Sequence, residues 1–354
     1  MADYQSSVIA KAQAVITPDL QQYEQRRFTP TALALAVKNQ NYSIPDAQAL
    51  RVSPKRVVDI YFYNKVAAGS DTAKEALHSG GYGDSSSTNL VYVSYVEKIG
   101  MPIKIADNNF MTYQGMFNNL YQEKWKNLID RHNNYATSFL QTNRVQLAEA
   151  TMKSQLQVSG LANYWNGTNS ALEIPATLRN RYIDKVKAAM KARSFKGELD
   201  ILADVSVMSE VNFYMNQGAG NFNNTSYQFM GCNFAESQVL IDSAYGSGTS
   251  LVMPKGSFAG LIWNEAANRE NRANDREGAI GTLTTVNDPF GLGLTADLSM
   301  YRQRADTSAN TSGGSTQDMI DQYEITLTVA YALAPLVTSL DSVVMEAVIM
   351  PDAA

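Results

Sequence analysis

The sequence predicts an α+β protein in which one very long helix lies between two sets of strands, and three patterns predict it. The first is a helical stripe. From about residue 111 to 158 there is no proline, and Gly115 is the only glycine. Apolar and aromatic side chains recur there at three- and four-residue steps: Tyr113, Phe117, Leu120, Tyr121, Trp125, Leu128, Ile129, His132, Tyr135, Phe139, Leu140, Leu147 and Leu156. That spacing lines them along one face. A helix of some 45 residues would be about 67 Å long at 1.5 Å per residue, against a mean of about 11–12 residues in globular proteins, so it reads as a strut. The second pattern is a pair of β-branched and aromatic runs ahead of the strut, residues 57–63 and 90–96. The third is the alternation of Tyr323, Ile325, Leu327, Val329 and Tyr331 with Glu324, Thr326, Thr328 and Ala330, the pattern of a half-buried antiparallel strand.

Taken in order, residues 1–54 read as an arm. A helix is expected up to Thr17, before Pro18, and a second over 19–28, with Asp19 as N-cap and Arg26 and Arg27 near its C-terminal end. Pro30, Pro45 and Pro54 then punctuate an irregular stretch, and the arm should lie on another surface. The two strands after it are joined by a tip rich in glycine and serine, 79–88, making an extended hairpin that needs a neighbour to be stable. Behind the strut, 159–176 reads as a Gly/Asn linker ending at Pro175. A helix over 178–193 follows, with Thr177 as N-cap, then a buried strand at 199–203 and a helix at 205–216 ended by Gly218 and Gly220. Short strands are expected at 238–241 and 250–253. This alternation reads as a small α/β module. The chain returns to β at 292–304 and again at Tyr323, across a polar tip at 306–315, and ends in an apolar run, 343–349, able to dock.

Composition narrows the function classes. Hydrophobic residues make up 45% of the 354 residues and charged ones 18%, below the usual quarter. Such a polar, weakly self-repelling surface suits association with copies of itself. The net charge of −5, from 29 basic and 34 acidic residues, argues against a dedicated nucleic-acid reader. The one cysteine, Cys232, allows no intrachain disulfide and reads as a small buried hydrophobe beside Met230 and Phe234. Neither a basic, apolar leader nor a run of 18 apolar residues is present.

The motifs carry no evident chemistry. The two histidines, His78 and His132, are far apart, so neither a His-rich nor a Cys-based metal site can form. A carboxylate site for magnesium or calcium stays open, although the close pair Asp318 and Asp321 suits capping and loop roles better. Neither Gly-x-Ser-x-Gly nor Gly-x-x-x-x-Gly-Lys-Ser/Thr occurs. Residues 291–296 (GLGLTA) match Gly-x-Gly-x-x-Ala but follow a turn and lead into a strand, the reverse of a dinucleotide site. Residues 264–278 (NEAANRENRANDREG) interleave Arg269, Arg272 and Arg276 with Glu265, Glu270, Asp275 and Glu277. They read as a solvated segment or one that pairs with charges on a neighbouring subunit. The hairpin aromatics Tyr61, Phe62, Tyr63, Tyr92 and Tyr95 lack interleaved Arg or Lys, so strand packing suits them better than base stacking. No catalytic residue, cofactor or metal is assigned.

The order of parts — arm, long hairpin with a polar tip, very long helix, α/β module, returning strands — resembles the major capsid protein of tailed bacteriophages, the Hong Kong 97-like fold. Local texture is similar too: Leu199-Asp200-Ile201-Leu202-Ala203-Asp204 before the helix at 205–216, Phe229-Met230-Gly231-Cys232-Asn233-Phe234, the stretch from Ser250 to Gly260, and the strand over 323–335. The resemblance implies an N-terminal arm (1–54), an extended loop overlapping the next subunit (55–100) and a peripheral domain with its spine helix (101–175). An axial domain (176–290) and a return to the peripheral domain (291–354) would complete the chain. It also implies a non-enzymatic structural protein that forms hexamers and pentamers of an icosahedral shell in the host bacterial cytoplasm and encloses double-stranded DNA, held non-specifically. Partners implied are further copies, a separate scaffolding protein (only some 55 residues precede the first strand), a portal and decoration proteins; no membrane is implied. Residues expected at contacts between subunits are Arg26, Arg27, Tyr61, Tyr63, Lys65, Lys74, Tyr82, Tyr92, Tyr95, Arg269, Arg272 and Arg276. Lys124, Lys126, Arg131 and Lys153 are the spine cations expected to face the lumen. An encapsulin-like nanocompartment, a soluble α/β enzyme with a carboxylate metal site and a phage tail component are the other readings.

Overall fold

The computed structural model describes residues 7–14, 31–43, 50, 57–63, 85–102, 110–216, 226–229, 231–264, 281–304, 319–333 and 340–351. Two sheets and a long helix organise them. Helix α1 (Thr31–Ser43) is followed by strands β1 (Val57–Tyr63) and β2 (Ser85–Pro102) and then by the long helix α2 (Phe110–Thr142). The next elements are α3 (Glu149–Leu156), β3 (Trp165–Asn166), β4 (Ala171–Ile174), α4 (Tyr182–Ala192), β5 (Leu199–Ala203), α5 (Val205–Asn216) and β6 (Ser226–Phe229). The chain continues through β7 (Cys232–Glu236), β8 (Thr249–Pro254), β9 (Phe258–Ile262), β10 (Gly281–Asn287), β11 (Thr295–Arg304), β12 (Met319–Leu333) and β13 (Met345–Ile349).

The strut is real but shorter than the apolar stripe suggests. Helix α2 has 33 residues, about 50 Å, and stops at Thr142. The Asn143 amide folds back to donate to Phe139 O at 2.8 Å. Val145 N then donates to Val344 O and Gln146 N to Leu340 O, each at 2.8 Å. A strand-like pairing with the C-terminal segment therefore replaces the helix where Thr142, Asn143 and Val145, all weak helix formers, follow one another. Helicity resumes only in the short α3.

The stripe itself is the core. Tyr113, Phe117, Tyr121, Trp125, Leu128, Ile129, Ala136 and Leu140 are fully buried and pack on the first sheet. Phe117 meets Tyr323 at 4.7 Å between ring centroids, and Tyr135 meets Tyr331 at 5.4 Å. Each large apolar side chain buried this way stabilises by roughly 1.5–3 kcal/mol.

That first sheet has the order β1-β2-β12-β11-β10. Strand β12 pairs with β2 along one edge, from Ile320↔Pro102 to Ala330↔Tyr92. Its other edge holds β11 (Asp297↔Thr326 to Arg304↔Met319) and then β9 (Val329↔Ile262 to Leu333↔Phe258) in tandem. Alternation of buried and half-buried residues holds over 320–327, but every residue from Leu327 to Leu333 is buried. The second half of β12 is covered on both faces, because Ala259, Leu261, Ala330 and Ala332 form a small cluster with Leu50 and Tyr92 on the face away from the spine.

The second sheet runs β3-β4-β13-β8-β5-β7-β6. Strand β5 is buried throughout, between parallel β7 and antiparallel β8. One face, through Leu202, Leu251 and Met253, joins the spine core. The other, through Ile201, Ala203 and Val252, packs with Val186 and Met190 of α4 and Val207 and Met208 of α5. Asp204 caps α5 by accepting from Val207 N at 2.8 Å and ties it to β8 by accepting from Thr249 N at 3.0 Å.

Several local expectations change. The stretch between Pro30 and Pro45 is not irregular: α1 lies in it, and Ala32, Leu33 and Ala36 are buried in the spine core together with Val8, Ile9 and Ala12 of the helical residues 7–14. The arm thus lies, in these parts, on its own subunit. The supposed linker 159–176 contains the β3–β4 hairpin, and β4 pairs in parallel with β13. Residues 176–181 form a 3-10 turn, so α4 begins at Tyr182 with no side-chain cap and Thr177 does not cap it. Residues 238–241 are not a strand; Ser237 Oγ accepts from Val239 N and Leu240 N and holds them in a turn. Strand β11 begins at Thr295, after a tight loop. The terminal run docks as β13 between β4 and β8. Sheet membership also cuts across the sequence ranges: β9 and β10 belong to the first sheet, while β3, β4 and β13 belong to the second. The tip expected at 79–88 is shorter than that, since 85–88 belong to β2 and pair with β1; the helix expected over 19–28, residues 79–84 and the tip at 306–315 lie outside the described residues.

Candidate assembly surfaces

The long strand β2 changes partner halfway. Ser85–Val91 pair with β1, from Tyr63↔Ser85 to Val57↔Val91, and Tyr92–Pro102 pair with β12. The β1–β2 ribbon therefore continues for seven residue pairs beyond the last β2–β12 pair, Ala330↔Tyr92, about 23 Å at 3.3 Å per residue. Among the described strands β1 is the edge of the sheet. A long edge ribbon of this kind offers open backbone groups to another chain.

The candidate contact residues distribute unevenly. Tyr61 and Tyr63 sit on β1 opposite Ser87 and Ser85. Tyr92 and Tyr95 lie at the root and are engaged within the subunit. The Tyr92 ring is 5.9 Å from that of Trp263, and burial pushes its hydroxyl up to about 12. Tyr95 stands edge-on to His132 at 4.8 Å. Arg26, Arg27, Lys65, Lys74, Tyr82, Arg269, Arg272 and Arg276 lie outside the described residues.

Lys124 Nζ and Arg131 Nη2 reach the two oxygens of the buried Glu97 on β2 at 3.1 and 3.0 Å, clamping spine to sheet. Lys153 is not a spine residue, since the spine stops at Thr142; it lies on α3 and pairs with Glu149 one turn earlier at 2.5 Å. Lys126 is exposed.

Apolar groups reach solvent at defined places. Val205 and Phe213 stand out from α5 at 55% and 58% exposure, and Ile241 and Leu340 at 65% and 51%. The last two flank the end of the spine: Gln141 Nε2 donates to Ile241 O and Gln146 N to Leu340 O.

The other chemical candidates are accounted for by internal bonding. Asp288 closes the loop before β11, its carboxylate accepting from Phe290 N, Leu292 N and Leu294 N at 2.7–3.0 Å. Gly291 and Gly293 supply the left-handed turns, φ 75° and 74°. The amides a phosphate would use are taken, and a strand follows. Asp321 forms a two-point pair with Arg302, Nε at 2.7 Å and Nη2 at 3.2 Å, whereas Asp318 lies outside the described residues. Among the described residues no group of three or more His, Cys, Asp or Glu side chains is placed to hold a metal ion. No described helix is long and apolar enough to cross a membrane. Cys232 is buried, and burial raises its thiol to about 11.

Sequence reading missed two buried acids. Asp200 on β5 accepts from Asn39 of α1, Asn233 of β7 and Gly256 N at 2.9–3.2 Å. Glu346 on β13 is fully buried 2.9 Å from Arg144 Nη1. The available signal in both is a lone carboxylate inside an apolar run, Leu199-Asp200-Ile201-Leu202 and Val344-Met345-Glu346-Ala347-Val348.

No family model matches the chain, and no curated protein matches it. Solved structures do. A chain titled Cyanophage Pam1 capsid asymmetric unit aligns with a TM-score of 0.51 at 8% identity, over 92% of this chain and 93% of that one. A second, titled Cyanophage A-1(L) capsid asymmetric unit, gives 0.48 at 10% identity over 87% and 94%. A third, from Mycobacterium phage Che8, gives 0.45 at 11% identity over 90% of each chain. The Pam1 likeness carries the argument: at 8% identity it shows a fold shared over 92% of this chain.

Proposed function

We propose that this chain is a structural subunit of a bacteriophage capsid, the major shell protein of an icosahedral particle that encloses double-stranded DNA. The carrying observation is the fold shared with the Pam1 capsid chain over 92% of this sequence. On this reading the β1–β2 ribbon is the extended loop, α2 the spine of the peripheral domain and the second sheet with α4 and α5 the axial domain. The open edge of β1 and the exposed apolar groups on α5 and at the end of the spine supply contacts that close rings of hexamers and pentamers. The arginines of 264–278 and the lysines of the hairpin pair with acidic groups on adjacent copies. Net charge −5 suits loose storage of DNA, since many cation–phosphate contacts would bind it tightly through counterion release. A scaffolding protein, a portal and decoration proteins would complete assembly in the host cytoplasm.

Electron microscopy of the chain, expressed alone and with a scaffolding protein from its own genome, tests this. Closed shells of uniform diameter are the expected outcome. A small monodisperse oligomer, or tubes and open rings, would overturn it. Particles loaded with protein rather than DNA during infection would transfer the fold to a cargo compartment.

A further inference from the structure

A buried cluster joins the end of the spine to the second sheet. Arg144, just past α2, points Nη1 at two carboxylates, Glu346 Oε2 of β13 at 2.9 Å and Asp242 Oδ2 at 3.3 Å. Its Nη2 donates to Asn169 O at 3.2 Å. The Glu346 and Asp242 side chains are 0% and 9% exposed, that of Arg144 21%. A third acid, Glu173 of β4, stands on the same face of the sheet, since Glu346 pairs with Ala171 two residues away. Glu173 Oε1 already accepts from Asn166 Nδ2 at 2.7 Å and Tyr245 OH at 2.8 Å. The groups facing Glu346 are therefore Arg144 from the post-spine segment, Asp242 and Tyr245 from the loop before β8, and Glu173 from β4.

Charge counting decides the state. One guanidinium cannot neutralise two buried carboxylates, and a buried uncompensated charge costs several kcal/mol. Among the described residues neither Glu346 oxygen accepts an aligned hydrogen bond, and Arg144 Nη1 serves Oε2 through charge alone; the carboxylate form is poorly served, while a proton on it can be donated to Asp242. Burial first, then the neighbouring Asp242, push Glu346 up to about 8, against the pull of Arg144.

We propose that this junction is a proton-operated latch: one proton on Glu346, donated toward Asp242 beneath Arg144, locks the spine to the second sheet, and its loss loosens that joint. Opening exposes Glu346 to water and returns it to an ordinary carboxylate, so the open state releases the proton that the closed state keeps. Alkalinity therefore favours opening, by about tenfold per pH unit between the two titration points. The amides that report it are Val145 and Gln146, bonded to Val344 O and Leu340 O, and Met350, bonded to Ile174 O.

Amide hydrogen exchange on the full chain, corrected for the intrinsic pH dependence, tests the latch. Protection at residues 145, 146 and 350 should fall about tenfold per pH unit between pH 6 and 8 and then level off. Glu346→Gln, which mimics the protonated form, should make it level throughout. Asp242→Asn should move the bend at least one pH unit lower, because Arg144 then serves Glu346 alone. A level wild-type profile, an unchanged slope in Glu346→Gln or an unmoved bend in Asp242→Asn would each overturn the proposal. If Glu346→Gln does not fold, the Asp242→Asn bend decides alone.

Discussion

Asn133 shows how much one polar side chain inside the spine can do. Its Oδ1 accepts from Ala32 N and Leu33 N at 3.1 and 3.3 Å, so a residue of α2 caps α1 a hundred positions earlier in sequence. Helices begin with amides that have no partner of their own, and here the partner is tertiary. Asn133→Ala should lower stability by about 1–2 kcal/mol, read as a shift of the denaturation midpoint at unchanged slope. Its neighbour His132 sets an acid limit. Burial drives its ring down to about 4 from 6.5, and the ring is held between Tyr331 OH and Leu327 O. Between pH 6.5 and 4 the unfolded chain binds the proton that the folded chain refuses, so this contribution is present above 6.5 and is lost on acidification, by up to about 1.4 kcal/mol per pH unit. Glu346 works the other way: its folded value of about 8 lies above the ordinary 4.5, so its contribution is full below 4.5 and is lost as pH rises to 8. The two slopes cancel between roughly 4.5 and 6.5. Thermal unfolding of His132→Asn should uncover the Glu346 slope, with its unfolding midpoint rising as pH falls through that window. A midpoint as level across that window as the wild type's would contradict the assignment.

Among the elements, close approach of backbones matters as much as apolar spacing. Helix α1 lies on β9 so tightly that a Cβ at Gly260 would sit 3.1 Å from Ala36 Cβ and 3.3 Å from Val329 Cγ1. Gly260→Val should therefore cost about 1–3 kcal/mol by overpacking, measured by chemical denaturation, while leaving the β1–β2 ribbon intact. Such contacts explain what the sequence could and could not disclose. The spine stripe from Tyr113 to Leu140, the strands at Val57, Leu199 and Tyr323 and the α5 helix were legible because their periodicity is local and strong. The end of the spine was not, because Leu147 and Leu156 continue the apolar spacing while Val145 and Gln146 find their partners at Val344 and Leu340. The β3–β4 hairpin was missed for the same reason: Gly167 and Asn169 look like linker residues, but they form the turn of a hairpin whose second strand is fixed by pairing with β13. Glu346 was printed plainly in an apolar run, yet its guanidinium partner lies about two hundred positions away, beyond any pattern rule. The hairpin was legible as two strands, but its partner switch at Val91 and Tyr92 needed coordinates.

For the molecule as a whole, that switch separates folding from the assembly proposed above. The part of β2 that completes the first sheet begins at Tyr92, and the ribbon of 57–63 and 85–91 is bonded within itself and at its root. Val57 and Val91 are register partners, so their Cα atoms lie about 5 Å apart, a gap that a linker of two or three residues in place of 57–91 can span. The spine stripe, the β12 pairing and the second sheet all survive that excision. The shortened chain should keep its helical and strand content by circular dichroism and a cooperative thermal transition within a few degrees of the full chain. It should also sediment as a small species under conditions where the full chain forms shells, because the edge that would meet a neighbouring copy is gone. Shells formed by the shortened chain would remove the ribbon from the assembly contacts. Loss of the cooperative transition would place the ribbon in the subunit's own fold, so the two measurements together assign the ribbon to the lattice or to the monomer.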